Sequence, residues 1–316
     1  SEMCIRDRAR VVIEAALDLG KVIAGKHQED ICELELELRQ GEPEALLELA
    51  AELAADLPLM PCDISKAERG YRLFDEASYG LQLPTPQLDA EQSLDDAVAT
   101  IGWFLLGSSQ RLAEQYRHNG HWRLLVDWLD CLVELRALLS SLGQAAPRAS
   151  TSELRQVLDA LLEDWRPRVQ AGQQDDTARQ EAPAQFAAEL EQTRWGLFSL
   201  NTSRWLLART WTSARNKRGD RQGAAALQSW LPTFFAEEGR DLQLKRYQQQ
   251  PEDLAEQLPR LERLLLWLHL ARGTLDIAET DRLFGELNKL AELAKRPLSP
   301  EAVSYTHLTL PTKRIV

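Results

Sequence analysis

The sequence predicts a mainly α protein that opens with a short antiparallel β segment, and three observations carry that prediction. In residues 31–41, ICELELELRQG, carboxylates and aliphatics alternate strictly through Glu33, Leu34, Glu35, Leu36, Glu37 and Leu38, which is the period of a strand. From residue 89 onward that period is absent, and Leu and Trp recur every three or four positions instead, as in Leu125, Trp128, Leu132, Leu135, Leu139 and Leu142. These periodic runs end at Gly, Pro or charged turns, as helices do.

The chain has 316 residues, 44% apolar and 27% charged, enough for one to three packed domains. No apolar run approaches a membrane span, so no membrane partner and a cytoplasmic location are expected. Cys4, Cys32, Cys62 and Cys131 show no CxxC spacing, so buried reduced thiols are expected rather than a zinc site or disulfides. A net charge of −12 argues against nucleic acid as a partner, although a local cationic groove remains compatible with it. Residues 9–75 carry 7 Lys/Arg against 15 Asp/Glu, so the acid excess is concentrated near the N-terminus.

Residues 1–8 and 303–316 read as a non-native leader and tail and are set aside. VVIEAALDLGKVIAG, residues 11–25, reads as two short strands joined at Leu19-Gly20, with Gly20 and Gly25 as turn residues. On the strand that follows, the three glutamates share one face and the three leucines the other. Two readings of that face stay open: acids in water on a half-buried strand, or a carboxylate ladder facing a wet cavity that holds divalent ions. Pro43 suits the first turn of a helix, and Ala45 to Ala55 has helical spacing. SKAERGYRL then begins with a capping Ser65 and Glu68 at the capping-box position. Lys66, Arg69 and Arg72 lie three apart, along one side of a short helix that is either a solvated basic face or part of a site.

IEAALDLG, KVIAG, ICELELELRQG, a helix and SKAERGYRL, in that order, resemble the C-terminal half of the CYTH triphosphatase domain over residues 10–75. The likeness is greatest to bacterial inorganic triphosphatases in which a CHAD domain follows. The resemblance implies an antiparallel β tunnel whose acids bind Mg²⁺ or Mn²⁺ and whose basic side chains hold tripolyphosphate or another inorganic polyphosphate. It makes Glu35 and Glu37 metal ligands, with Glu33 and Glu14 as further acids of the face. Asp18 becomes a metal or water-positioning aspartate, and Lys66, with Arg69 beside it, a phosphate-holding cation. The family's opening ExExK strand and paired-arginine strands have no counterpart in this chain, so catalysis is expected of a full-length form and not of this fragment.

Residues 76–88 have linker character, and 89–300 read as a helical bundle resembling a CHAD domain, a module associated with polyphosphate. Helices are expected at Ser93–Tyr116, Trp122–Leu142 and Ser152–Val169. Further helices are expected near 184–216, 223–238, 252–272 and 277–295, with a polar break at 172–183. If the 184–216 helix continues through Arg218, Arg204, Arg215 and Arg218 form a stripe that is either solvated or able to hold phosphates. His118 and His121 are three apart, but Gly120 between them and the lack of a third ligand favour surface histidines. The nine tryptophans are expected to be core anchors. Fold class is thus mainly α, a partial antiparallel β tunnel followed by a helical bundle. The function that the resemblance implies is that of a truncated metal-dependent inorganic triphosphatase, hydrolysing tripolyphosphate to pyrophosphate and phosphate in its full-length form, or alternatively a non-catalytic polyphosphate-binding or scaffolding module.

Overall fold

In the computed structural model, which describes residues 2–8, 11–76, 79–242 and 251–295, the chain is mainly helical after an N-terminal antiparallel sheet. Backbone alone is described for residues 2–8 and 251–253, and the expectation of a non-native tail at 303–316 lies outside the described residues.

The sheet has three strands in the order β1 (Glu2–Arg8), β2 (Val11–Ala24) and β3 (His27–Gln40). Residues 2–8, set aside as a leader, pair antiparallel with β2 from Glu2 opposite Leu17 to Arg8 opposite Val11. Main-chain pairing at a sheet edge asks little of the side chains, so the pairing does not bear on where the segment came from. Residues 11–24 are one strand rather than two, because Gly20 sits within the ladder opposite Ile31 instead of turning. The turn comes at Gly25-Lys26, where Gly25 has φ +62° and Lys26 is not in the positive-φ region, the type II′ pattern that suits a two-residue hairpin. Near the other end of the hairpin the register shifts, Val12 facing Gln40 and Ile13 facing Leu38, which leaves Arg39 as the extra residue of a bulge.

Two helices follow, α1 (Pro43–Asp56) and α2 (Lys66–Phe74). Pro43 opens α1, and Ser65 caps α2 by accepting from Glu68 N at 3.1 Å. The helical part comprises α3 (Leu94–Asn119), α4 (Trp122–Ser141), α5 (Arg148–Gln174), α6 (Asp176–Leu190), α7 (Thr193–Leu207), α8 (Lys217–Gly223), α9 (Leu227–Asp241), α10 (Leu258–Leu270) and α11 (Ile277–Ala294). Two boundaries differ from expectation. Residues 172–183 are helical on either side of Asp175, with Pro183 inside α6, and the expected 184–216 helix falls in two shorter ones, broken at Glu191-Gln192 and ended at Leu207. Asp175 caps α6 through Thr177 N, which is a start signal hidden in a polar stretch.

By packing, the chain forms two compact units: residues 1–84, 106–131 and 156–210 in one, and 85–105, 132–155 and 211–316 in the other. The first unit is centred on Trp128, Trp165, Trp195, Phe186 and Tyr116, all buried and meeting mostly edge to face at centroid distances of 5.0–5.5 Å. Such pairs add about 0.5–1.5 kcal/mol each beyond area burial. Against the same unit's α7, the α1 residues Ala51 and Ala54 pack with Leu200. In the second unit Trp230 and Phe234 stack, and Trp267 donates to Ser141 Oγ at 2.8 Å. Most of the tryptophans are core anchors, but Trp103 is exposed and Trp122 is half-buried under the Arg179 guanidinium. The cysteines depart from expectation, since Cys32 and Cys62 are exposed and Cys131 is half-buried. Among the described residues, no helix is long and apolar enough to cross a membrane.

Candidate functional site

The β2–β3 register puts Glu14 opposite Glu37, Ala16 opposite Glu35 and Asp18 opposite Glu33. Side chains directly opposite one another share a face, so Glu14 and Asp18 lie on the same side of the sheet as Glu33, Glu35 and Glu37. Glu29, opposite Val22, extends that face. The acid face is partly wet and partly covered. α2 covers Asp18, Glu29 and Glu33 in part, Glu35 and Glu37 stay exposed, and on the other face Leu17, Leu19, Ile23 and Leu34 are exposed as well.

α2 lies on the acid face through three cations at successive turns. Lys66 Nζ donates to Asp18 Oδ2 at 2.5 Å and Glu35 Oε1 at 2.6 Å, with Glu33 Oε2 at 3.7 Å. Arg69 pairs with Glu33 and stands 3.9 Å from Glu29. Arg72 donates to Glu29 Oε2 at 2.8 Å and grips Glu114 of α3 through both terminal nitrogens, at 2.7 and 3.1 Å. A helix advances about 4.5 Å in three residues and a strand about 6.6–6.8 Å in two, so helical cations can follow strand carboxylates along a shared face. Burial deepens along the row: the side chains of Lys66, Arg69 and Arg72 are 37%, 7% and 0% exposed.

The charges respond accordingly. The Lys66 hydrogen bond, reinforced by its charge, holds the Asp18 carboxyl below its usual value, and bonds from Asp18 and Glu35 raise Lys66. Burial works against the positive charge of Arg72, yet Glu114 and Glu29 outweigh it and leave its pKa raised. At the outer end Arg39, re-aimed by the bulge, bridges Glu14 and Glu37 at 2.7 Å each. Beside α2, Glu68 accepts from Tyr79 at 2.8 Å and from Arg111 at 2.6 Å, and burial with that carboxylate pushes the Tyr79 hydroxyl up to about 12.

The C-terminal end of α2 opens on a cavity of about 420 Å³ lined by His27, Arg72, Leu73, Phe74, Asp75, Glu76 and His118. His118 is therefore not the surface residue expected. Its Nδ1 lies 3.5 Å from Glu29 Oε2, but Arg72 already holds that oxygen, and burial and the Arg72 charge keep the imidazole below its usual pKa. His121 is exposed.

Asp18, Glu33, Glu35, Lys66 and Arg69 are thus brought together, with Glu37 and Glu14 at the Arg39 end. Sequence reasoning missed Arg39, Glu29 and Glu114. Parity could have found the first two, since 29 and 39 fall on the same alternating set as 33, 35 and 37, whereas Glu114 is a partner only the tertiary fold supplies. The expected arginine stripe loses its premise because α7 ends at Leu207. Arg204 lies on α7 in the first unit, 3.9 Å from Glu48. Arg215 precedes α8 in the second unit, where it forks onto Asp95 and reaches Asp220, and Arg218 is an exposed residue of α8 itself.

Comparison with known proteins places the segment in a class: residues 2–71 match the family model of the CYTH domain. More particularly, a stretch of 61 residues is 39% identical to the inorganic triphosphatase of Haemophilus influenzae (strain ATCC 51907 / DSM 11121 / KW20 / Rd). That stretch is 19% of this chain and 17% of that relative, so the match spans about a sixth of the relative's length.

Proposed function

We propose that the acid face and α2 form part of a metal-dependent triphosphatase site, with tripolyphosphate as substrate in the full-length form. The observation that carries this reading is the convergence of Asp18, Glu33 and Glu35 on the single cation Lys66, beside a segment similar to an inorganic triphosphatase. The donor set is all carboxylate oxygen, the chemistry that Mg²⁺ or Mn²⁺ prefers, and the trio already surrounds one positive charge. Among the described residues no three His, Cys, Asp or Glu side chains are disposed to hold a metal ion as they stand, so the trio would accept one only on rearranging around it. Asp18, Glu33 and Glu35 would hold the ion, with Glu37 as a further acid.

A bound divalent ion would supply neutralisation of phosphate oxygens and polarisation of an attacking water. The chain's own residues do the rest. Lys66, on a long stem at the first turn of α2, meets the phosphate chain and offsets charge developing on it. Arg69, tied to Glu33, fixes the helix face from which Lys66 projects. Asp18, held ionised by its neighbour, accepts a hydrogen bond from water and orients it.

The test is phosphate release from tripolyphosphate with Mg²⁺ or Mn²⁺. It is run on this chain and on a form preceded by the ExExK and paired-arginine strands that the resemblance implies. Turnover is expected of the longer form, with most of it lost in Glu35→Gln or Glu37→Gln. A fully active double variant would remove the acid face from the site.

A second reading is favoured by one observation, that each of these acids already has a cation of the chain as its partner. A ladder so neutralised would suit a structural role in a polyphosphate-binding scaffold, with residues 89–300 as a CHAD-like module. Arg204, Arg215 and Arg218 enter that reading only as separate contacts. Changing all three to Glu and measuring polyphosphate binding against salt tests it, and unchanged affinity excludes them.

A further inference from the structure

We propose that the apolar face of the β2–β3 hairpin is an interface with a second copy of this chain, the two sheets packing face to face about a two-fold axis that runs along the strands.

Parity assigns the face. On β2, Leu17, Leu19, Lys21 and Ile23 alternate away from the acids, and the register sets them opposite Leu34, Cys32, Asp30 and Gln28 of β3. Toward Gln40 the same face is closed, Ile13 being 2% exposed and its cross-strand partner Leu38 half-buried. Toward the Gly25 turn it lies open. Leu19 is 70% and Ile23 69% exposed, and Leu17, Cys32 and Leu34 are exposed beside them. A single exposed aliphatic residue is ordinary, but aliphatics gathered on adjoining rows of one sheet mark an interaction surface.

The charges on the face select the occupant. Lys21 Nζ lies 3.5 Å from Asp30 Oδ1, in the row between Leu19–Cys32 and Ile23–Gln28, and the two side chains are 48% and 84% exposed. One cation and one anion side by side among apolar residues make a surface that complements itself. An axis parallel to the strands and passing between β2 and β3 keeps each row in place and exchanges the strands. Lys21 then lies over the second copy's Asp30 and Asp30 over its Lys21, with Leu17 over Leu34 and Leu19 over Cys32. An axis across the strands at this row would set Lys21 over Lys21, where like charges repel. A partner carrying one sign of charge would leave either Lys21 or Asp30 facing its own sign, so a second copy fits where an acidic or a basic protein does not. Four rows about 6.8 Å apart on two strands make a patch below the roughly 1,200–2,000 Å² of a stable complex, so the pairing is weak and reversible. It also leaves the acid face of each copy uncovered, since that face and α2 lie on the opposite side of the sheet.

The test is sedimentation velocity of the full chain from about 5 µM to about 500 µM, where wild type is expected to pass from monomer to dimer. Lys21→Glu and Asp30→Lys are each expected to weaken association at least about tenfold, because like charges then meet across the axis. Mixed in equal amounts, the two variants are expected to regain it, since the new acid of one faces the new lysine of the other. A hairpin merely loosened by substitution would not recover on mixing. In the unmutated chain, alkylation of Cys32 by iodoacetamide, read by mass spectrometry, is expected to slow several-fold at the upper concentrations as Leu19 of the second copy covers it. A chain that stays monomeric throughout, an affinity indifferent to both charge changes, or no recovery on mixing would overturn the inference. So would a Cys32 that resists alkylation even in the dilute monomer, because another part of the same chain would then cover the face.

Discussion

Two ion clusters in this chain look alike in composition and differ in how they are closed. In the second unit Asp95 receives both terminal nitrogens of Arg215, at 2.8 and 2.6 Å, and the indole nitrogen of Trp211 at 2.9 Å. Gly223 lies so close that a Cβ there would stand 2.3 Å from Arg215 and 2.6 Å from Asp95. On the sheet of the first unit, Glu14, Asp18, Glu29, Glu33, Glu35 and Glu37 face Arg39, Lys66, Arg69 and Arg72, an acid excess with its outer end in solvent. A knot whose Asp95–Arg215 core is buried and closed by Trp211 and Gly223 serves stability. A row that is over-acidic and open at one end has spare capacity for a cation, and that asymmetry carries the functional reading.

The largest expected effect breaks the closed cluster. Asp95→Ala removes the acceptor of both terminal nitrogens of Arg215 and of the Trp211 indole, leaving the guanidinium only the exposed Asp220 and the Ala145 carbonyl, so a cost of about 3 kcal/mol is expected. Urea unfolding followed by circular dichroism checks it, and a loss under about 1 kcal/mol would place the knot among ordinary surface pairs. Glu114→Ala at the buried end of the open row comes next. Glu114 is 1% exposed and Arg72 wholly buried, but Glu29 stays as a partner, so about 2–3 kcal/mol is expected, less than at Asp95.

Acidity separates two histidines. The pKa of His118 is lowered from 6.5, so the unfolded chain takes up its proton more readily, and stability falls as pH drops below 6.5. The pKa of His269 is raised by its bond to Glu134, so its contribution is full below 6.5 and disappears as pH climbs through the raised value. His118→Asn is expected to flatten the acid-side loss in urea midpoints compared at about pH 5 and about pH 8, and His269→Asn to steepen it. The same slope in both variants would mean that neither imidazole is set by the neighbours described.

How much of this was legible follows from the range of each signal. Alternation through residues 33–38 fixes a strand and a shared acid face, and Ser65 with Glu68 fixes the start of α2, because both are local rules. Gly20 misled, since a glycine marks a turn only when the ladder does not claim it, and here Ile31 pairs across from it. The run 184–216 has the pattern of one helix because apolar spacing continues through it, while the breaks at Glu191-Gln192 and after Leu207 carry no Gly or Pro. That Lys66, Arg69 and Arg72 meet carboxylates was open in the sequence. Spacing shows which residues share a side of α2, but that this side lies on β3 and that Glu114 closes its buried end are facts of tertiary packing.

The smallest expected effect on stability falls where the functional reading places the most chemistry. Glu35 is the most exposed of the acids on Lys66, its side chain 57% exposed, so its ion pair is screened by water and salt. Glu35→Gln keeps the shape of the side chain and leaves Lys66 with Asp18 at 2.5 Å and Glu33 at 3.7 Å. The urea midpoint is therefore expected to stay within experimental error of wild type, while Mn²⁺ binding weakens because a charged ligand is gone. Both are measured on the same preparation, so a misfolded variant cannot pass for a metal-site defect. A loss of stability matching that of Asp95→Ala would mean that the open row is as closed a knot as the one around Arg215. The scaffold reading of the sheet would then be the better one. An unchanged midpoint with weakened Mn²⁺ binding sharpens the contrast instead, since it separates a cluster that holds the fold from one whose charge is held in reserve for a ligand.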